Sequence, residues 1–170
     1  MPAVLEQISK NTYTKIDLHR RLGLLQECLE EILYHTTVSP EASTAAGIAY
    51  AHKVGAPKDV AALSEWGDLV WGFFQSPTMP AVINKLKKES ELLPSLVVYF
   101  PVQFDAEATK IVSVWCREKI HPLLLLETYV DPSVIGGCAF VSKDTHHDYS
   151  IRHAMKDNKG VVSELLASYV

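Results

Sequence analysis

The sequence has few cysteines, which excludes a protein built on disulfides. Only 3 of its 170 residues are cysteine, namely Cys28, Cys116 and Cys138. They are odd in number and far apart, and each lies in an apolar stretch. This pattern predicts buried free thiols in a reducing compartment rather than a disulfide framework.

Long hydrophobic runs and targeting segments are also missing. The N-terminus lacks a basic segment followed by an apolar run and a cleavage site, so we expect no signal peptide. No window approaches the roughly 18 uncharged apolar residues of a membrane span. We therefore expect a chain that does not insert into a membrane, although it could work beside one.

No part of the chain carries charge of predominantly one sign. The net charge is -4; residues 1 to 94 hold nine basic and eleven acidic side chains, and residues 95 to 170 hold seven and nine. Proteins that bind nucleic acid draw most of their affinity from neutralising phosphates, and neither half offers a basic patch for this. The charge distribution therefore disfavours nucleic-acid binding.

Catalytic motifs are absent as well. A nucleophilic Ser133 or Ser150 would need a positioned histidine and an oxyanion hole, and no G-x-S-x-G turn is present. Gly136 and Gly137 lack the G-x-G-x-x-G spacing of a phosphate loop and precede a predicted strand rather than a helix. The sequence thus predicts no catalytic residue and no cofactor.

One histidine-rich stretch leaves a metal site as an alternative. His146, His147, Asp148 and His153 are close in sequence, and imidazole with carboxylate could bind zinc or another divalent ion. Adjacent histidines in a strand point to opposite faces, however, and no H-E-x-x-H pattern occurs. A solvated turn is therefore favoured over a metal-binding enzyme that uses His146, His147 and His153.

The first half of the chain has the periodicity of helices. One stripe recurs at steps of four and three and predicts a helix from about residue 14 to residue 34. Core packing explains this stripe better than a partner-binding groove does, although a groove stays open as an alternative. The stripe consists of Leu18, Leu22, Leu25, Leu29 and Ile32, widened by Leu24, Cys28 and Leu33.

Prolines mark the further helices of this half. Ser39 can cap a helix that starts at Pro40 and stops at Gly55. Pro57 begins another, which we expect to continue to Phe74, and a fourth begins at Pro80. Residues 1 to 93 are therefore predicted to be an all-α helical bundle domain. Three tryptophans at helical spacing are predicted to lie in the core: Trp66, Trp71 and Trp115.

The period changes at Pro94, and residues 94 to 170 are predicted to be a small α/β domain. "SLVVYFPVQF" is typical of a strand, Asp105 caps a helix, and the leucine run of "HPLLLLETYV" predicts a strand covered on both sides. This order is a βαβ unit with a parallel pair. The apolar face of its helix is predicted to comprise Ala108, Ile111, Val112, Trp115 and Cys116.

The remaining residues complete a mixed sheet. "CAFVSK" predicts a third strand, "DTHH" a polar turn, and a short fourth piece precedes a helix that begins near Ser150; an apolar spacing resumes in residues 161 to 170. The fold class is thus predicted as α+β, with a helical bundle followed by a small α/β domain whose mixed sheet contains the βαβ unit.

The stretch "VDPSVIGG" predicts a connector. Pro132 fixes its own φ and favours an extended Asp131, while Gly136 and Gly137 permit conformations or close approaches that a Cβ would forbid. Val134 and Ile135 are expected to cover the end of the sheet.

With its surroundings, this connector resembles a segment of the F-type ATP synthase delta subunit family, which includes the mitochondrial oligomycin-sensitivity-conferring protein. The family shows a strand, a Val-Asp-Pro-Ser-Leu-Ile-Gly-Gly segment, another strand, a turn, an Asp-x-Ser and a closing helix. The resemblance is specific over residues 95 to 157. We call the matching positions the DPS-GG motif: Val130, Asp131, Pro132, Ser133, Ile135, Gly136, Gly137, Asp148 and Ser150.

The resemblance implies a noncatalytic stator subunit. In such complexes the helical domain holds the N-terminal helices of the alpha subunits, and the C-terminal domain grips the C-terminal helices of subunit b. The sequence pI of about 6.0 favours a bacterial member, peripheral on the cytoplasmic face of the inner membrane. An unrelated two-domain interaction adaptor is the alternative of a different class.

Overall fold

The computed structural model describes residues 2–35, 40–72, 79–142, 145–160 and 167. Within these ranges the chain is a mixed helical and sheet protein, which confirms the predicted α+β class. The predictions for the Ser39 cap, for Phe73 and Phe74 as part of a helix, and for the apolar spacing of residues 161–170 lie outside the described residues.

Helices occupy the first half of the chain. Helix α2 begins after Thr14, whose hydroxyl oxygen accepts a hydrogen bond of 3.0 Å from the backbone N–H of Asp17 and so caps the first turn. The bounds are α1 Pro2–Ser9, α2 Lys15–His35, α3 Pro40–Val54, α4 Pro57–Glu65, α5 Gly67–Trp71 and α6 Met79–Glu91.

The leucine stripe of α2 lies in the core of this helical half. Leu18, Leu22, Leu25 and Leu29 are buried, and Ile32 packs against the same cluster. Each fully buried leucine contributes about 1.5–3 kcal/mol, so the stripe is the main anchor of the helix. The widening of the stripe is right for Leu24 and Cys28, which are buried, but wrong for the exposed Leu33.

The helix predicted to run on from Pro57 is interrupted. Helix α4 ends at Glu65, and Gly67 has a φ of +64°, a left-handed conformation that stops regular helix. The chain then forms the short helix α5. Trp66 and Trp71 on either side of this break are both buried, as predicted from their spacing.

A four-stranded mixed sheet follows, in the order β2-β1-β3-β4. Strands β1 and β2 are parallel, with Ser95 opposite Leu125, whereas β1/β3 and β3/β4 are antiparallel. The parallel pair is connected through α7. The bounds are β1 Ser95–Phe100, α7 Ala106–Lys119, β2 Leu125–Val130, β3 Ala139–Ser142, β4 Thr145–Asp148 and α8 Ile151–Asp157.

The sheet has its own apolar core beneath α7. Leu96, Val98, Phe100, Leu124 and Leu126 are buried there. Cys116 is buried in the same cluster, and Val112 packs against it. Most of the leucine run at the start of β2 is buried. This agrees with the prediction of a strand covered on both sides.

Two residues of the predicted apolar face of α7 are exposed. Ile111 is 63% exposed and Trp115 is 58% exposed, so the prediction of a buried Trp115 is wrong. The physical reason is that apolar residues occur on more than one side of this helix, while only one side faces the sheet.

No helix of the described residues is long and apolar enough to cross a membrane.

Candidate protein-interaction surface

The first part of the DPS-GG motif is a tight turn at the end of β2. The backbone N–H of Asp131 donates to the carbonyl of Phe100 at 2.8 Å, and the N–H of Val134 donates to the carbonyl of Asp131 at 3.1 Å. The N–H of Ser133 donates to Asp131 Oδ1 at 2.9 Å. Hydrogen bonds from the side chain and backbone of Ser133 lower the pKa of Asp131. The Asp-Pro-Ser sequence thus folds as a turn closed by its own carboxylate.

The two glycines of the motif hold conformations that other residues avoid. Gly136 and Gly137 have φ values of +66° and +77°. A Cβ on Gly137 would lie 2.3 Å from the carbonyl oxygen of Tyr149, and one on Gly136 would lie 2.6 Å from Cδ1 of Ile151. Both conformation and space therefore demand glycine, as the sequence predicts.

The second part of the motif begins the last helix. The N–H of Ser150 donates to Asp148 Oδ1 at 2.8 Å, and Ser150 Oγ accepts from the N–H of His153 at 3.2 Å. Ser150 is consequently the N-cap of α8 and is buried. Hydrogen bonds from Ser150 lower the pKa of Asp148, so both ends of this short turn are fixed by side chains.

Backbone hydrogen bonds join the two parts of the motif. The N–H of Tyr149 donates to the carbonyl of Cys138 at 2.9 Å. The N–H of Ile151 is shared between the carbonyls of Ile135 and Gly136, at 3.1 and 3.2 Å. Residues 130–137 and 148–151 therefore form one structural unit, although a strand pair separates them in sequence.

The side chains of this unit do not all cover the sheet. Val134 is buried, as predicted, but Ile135, which is predicted to cover the sheet end with it, is 53% exposed. Val130, at the end of β2, is likewise exposed. An apolar fringe therefore remains on the surface here, formed by Val130, Ile135, Ile151 and Met155.

A shallow depression of about 370 Å³ lies beside the motif. Its wall mixes Asp131 and Asp148 with Arg152, Lys156 and His146. Each carboxylate accepts hydrogen bonds from the serine of the turn it closes, Ser133 for Asp131 and Ser150 for Asp148. These contacts fix the two turns that border the depression.

His146 and His147 lie in strand β4, which corrects the prediction of a polar turn there. Strand pairing with β3 places His147 opposite Phe140, and the two rings stack with centroids 4.9 Å apart. His153 lies on α8, 3.4 Å from Asp157. No group of three or more potential ligands in the described part of the chain could hold a metal ion.

The thiols are not arranged for nucleophilic chemistry. Burial raises the pKa of Cys28 to about 12, and burial also raises the pKa values of Cys116 and Cys138. A raised pKa keeps a thiol protonated and unreactive at neutral pH. Cys28 and Cys116 are buried as predicted, whereas Cys138 is only half-buried.

The outer side of α7 presents an exposed apolar stripe. Ile111, Val114 and Trp115 have the i, i+3, i+4 spacing of one helical face, and all three are exposed against the described residues. Glu107 and Glu118 continue this face at its two ends. We call these five residues the α7 face. An exposed cluster with a tryptophan at its centre is typical of a protein contact surface.

The most buried ionic cluster among the described residues has no signature in the sequence. Asp59 accepts from Arg20 Nε at 2.5 Å and from Arg21 Nε at 3.0 Å, and Asp59 and Arg21 are both buried. Arg21 also donates to Thr12 Oγ1 at 2.8 Å. Almost 40 positions separate Asp59 from the two arginines in sequence, so no local pattern reveals their contact.

No protein-family model matches the chain, and no curated protein matches it either.

Proposed function

We propose that the chain is a noncatalytic peripheral-stalk subunit of a bacterial F-type ATP synthase. It would connect the alpha/beta catalytic hexamer to the b subunits, so that torque on the central shaft drives catalysis instead of turning the hexamer. Its place would be the cytoplasmic face of the inner membrane, without insertion into the bilayer.

The observation that carries this proposal is that the two parts of the DPS-GG motif are hydrogen-bonded to each other. The resemblance to the delta subunit family rests on two sequence segments. The N–H groups of Tyr149 and Ile151 join these segments by three backbone hydrogen bonds, and two positive-φ glycines and two side-chain caps shape the segments themselves. The joined segments support a fold that is shared with the delta subunit family. The function is then inferred from this fold by analogy.

The proposed architecture is that of the family: an N-terminal helical bundle domain, residues 1–93, and a C-terminal α/β domain, residues 94–170. The presence of two apolar clusters, one among the helices and one beneath α7, supports this division. In this scheme the helical domain holds the N-terminal helices of the alpha subunits, and the α/β domain holds the C-terminal helices of subunit b.

The α7 face is the surface that we assign to subunit b. Two-helix contacts need apolar anchors at i, i+3, i+4 spacing on each partner, and the α7 face supplies Ile111, Val114 and Trp115 in that arrangement. Glu107 and Glu118 at its ends favour a partner helix with basic residues flanking its apolar seam. The stripe of α2, by contrast, is occupied by core packing.

The experiment is an affinity pull-down of the tagged chain from gently solubilised source membranes, with captured chains identified by mass spectrometry. The proposal expects the alpha, beta and b subunits among them. Capture of unrelated chains alone would support the two-domain adaptor, and zinc found by elemental analysis of the purified protein would instead favour the metal-binding alternative at His146, His147 and His153.

A further inference from the structure

The edge of the sheet that β2 forms is covered by the helical half of the chain. Strand β2 is the edge strand, and its outer side meets the α1–α2 connection. The N–H of Leu126 donates to the carbonyl of Tyr13 at 3.0 Å, and Thr14 pairs with Leu126 as a parallel bridge. A segment more than 110 positions away thus continues the sheet and satisfies backbone groups that an open edge would leave unpaired.

Arg117 of α7 fixes this arrangement. Its Nη1 donates to the carbonyl of Ser9 at 2.6 Å, its Nη2 donates to that of Thr12 at 2.6 Å, and its Nε donates to that of Leu124 at 2.9 Å. The guanidinium carbon lies 5.3 Å from the ring centroid of Tyr13. One side chain therefore bridges backbone of the helical half and backbone at the start of β2.

Two further contacts cross the same boundary. Lys15 Nζ lies 3.0 Å from Glu127 Oε1, and this hydrogen bond lowers the pKa of Glu127. Leu125 of β2 is buried in the apolar cluster of the helices rather than in that of the sheet. The direct connection between the halves, residues 92–94, includes Leu92, which is 84% exposed.

We infer that the helical half and the α/β half are one cooperative folding unit, locked by Arg117 across the edge of β2. Arginine is suited to this task because its planar fork reaches three carbonyls at fixed angles, which the point charge of a lysine does not. Charge-assisted hydrogen bonds to partly buried carbonyls are among the stronger polar contacts. This inference is independent of the proposed stator function.

The test is hydrogen exchange, followed peptide by peptide by mass spectrometry across a urea titration of the full chain. In the native sequence, peptides from α2 and from β1 and β2 are expected to lose protection at the same urea concentration. In Arg117→Met the two sets separate, with β1 and β2 exchanging at least about tenfold faster below the main transition, the change expected from losing a hydrogen bond to a charged group.

Three variants keep the test decisive. Arg152→Met removes an exposed arginine of α8 and is expected to leave the transitions coincident. Arg117→Lys and Glu127→Gln are milder changes at the boundary and are expected to give smaller separations, so they decide the matter if Arg117→Met does not fold. The inference is overturned if the two halves of the native chain already unfold at different urea concentrations. It is also overturned if the boundary variants behave like Arg152→Met.

Discussion

At the scale of single residues, Asp59 shows how the helical half tolerates a buried charge. Burial alone would raise the pKa of Asp59, but hydrogen bonds from Arg20 and Arg21 outweigh it and hold the pKa below the ordinary value of 3.8. The ionised form is therefore the stable one in the folded state. Removing one member of such a buried cluster leaves an uncompensated charge, which typically costs about 3–5 kcal/mol.

This arrangement predicts a specific dependence of stability on pH. Since the pKa of Asp59 is lower in the folded than in the unfolded chain, its stabilisation is present above the unfolded value and is lost as the pH falls through the folded value. Urea denaturation from pH 6 to pH 2 is expected to show Asp59→Asn destabilised at pH 6 and with a flatter acid decline than the native chain.

Asp157→Asn, at an exposed position of α8, is the matched control for Asp59→Asn and is expected to preserve the native profile. An Asp59→Asn variant with the same acid decline as the native protein would show that Asp59 does not carry the stabilisation.

Gly137 allows backbone strain and steric clash to be separated. Gly137→Ala places a Cβ 2.3 Å from a backbone oxygen at a φ of +77°, whereas Gly67→Ala at a φ of +64° meets nothing within 4 Å. Holding alanine at a positive φ is expected to lower the free energy of unfolding of both variants by roughly 1–3 kcal/mol. The additional steric clash is expected to lower that of Gly137→Ala clearly more. Thermal denaturation measures both; equal losses would mean that the contact with Tyr149 is unimportant.

Some residues could be assigned from sequence because their role is local. Asp105 is predicted as a cap and accepts from the N–H of Ala108, and Ser150, near which the last helix is predicted to begin, accepts from the N–H of His153. Gly136 and Gly137 are recognisable for the same reason. Arg117 and Asp59 could not be found this way, because their partners come from distant segments that only the tertiary fold brings together.

At the scale of elements, periodicity predicted the helices and strands better than it predicted their orientation. The sequence does not predict the break at Gly67, because apolar spacing continues across it, and it predicts a polar turn at "DTHH", where the structure has strand β4. The prediction of a buried Trp115 is wrong because both sides of α7 carry apolar residues.

The α7 face leads to a prediction at this scale. Ile111→Glu places a charge in the centre of the apolar stripe, and it is expected to reduce capture of subunit b at least about tenfold while leaving stability nearly unchanged, as exposed substitutions do. Ile16→Glu is the matched control, because Ile16 on α2 is 67% exposed and Ile111 is 63% exposed.

Pull-down followed by quantitative mass spectrometry measures the effect of Ile111→Glu, and circular dichroism confirms the fold of both variants. Equal loss of subunit b in Ile111→Glu and Ile16→Glu would show that the α7 face is not the binding surface for subunit b.

At the scale of the whole molecule, the α+β class followed from composition and period alone, whereas the contact between the halves did not. The leucine run that begins β2 indicates a covered strand, but nothing in it shows that Leu125 contacts the helices while Leu124 and Leu126 contact the sheet core. The strand's alternation can be read from sequence; the partner on each face cannot.

In a stator, a single cooperative unit would transmit force through the edge of β2 rather than through the short connection at residues 92–94. This consequence rests on the proposed function. It links the covered sheet edge to the task of holding a catalytic hexamer against rotation.

The central claim is tested most directly by the stoichiometry of chains captured with the tagged protein from solubilised membranes. The account predicts that alpha, beta and b subunits are recovered together in fixed ratios to the tagged chain, and that untagged membranes yield none of them. Recovery of the chain alone, or with unrelated soluble proteins, would contradict the stator function and leave the resemblance as one of fold.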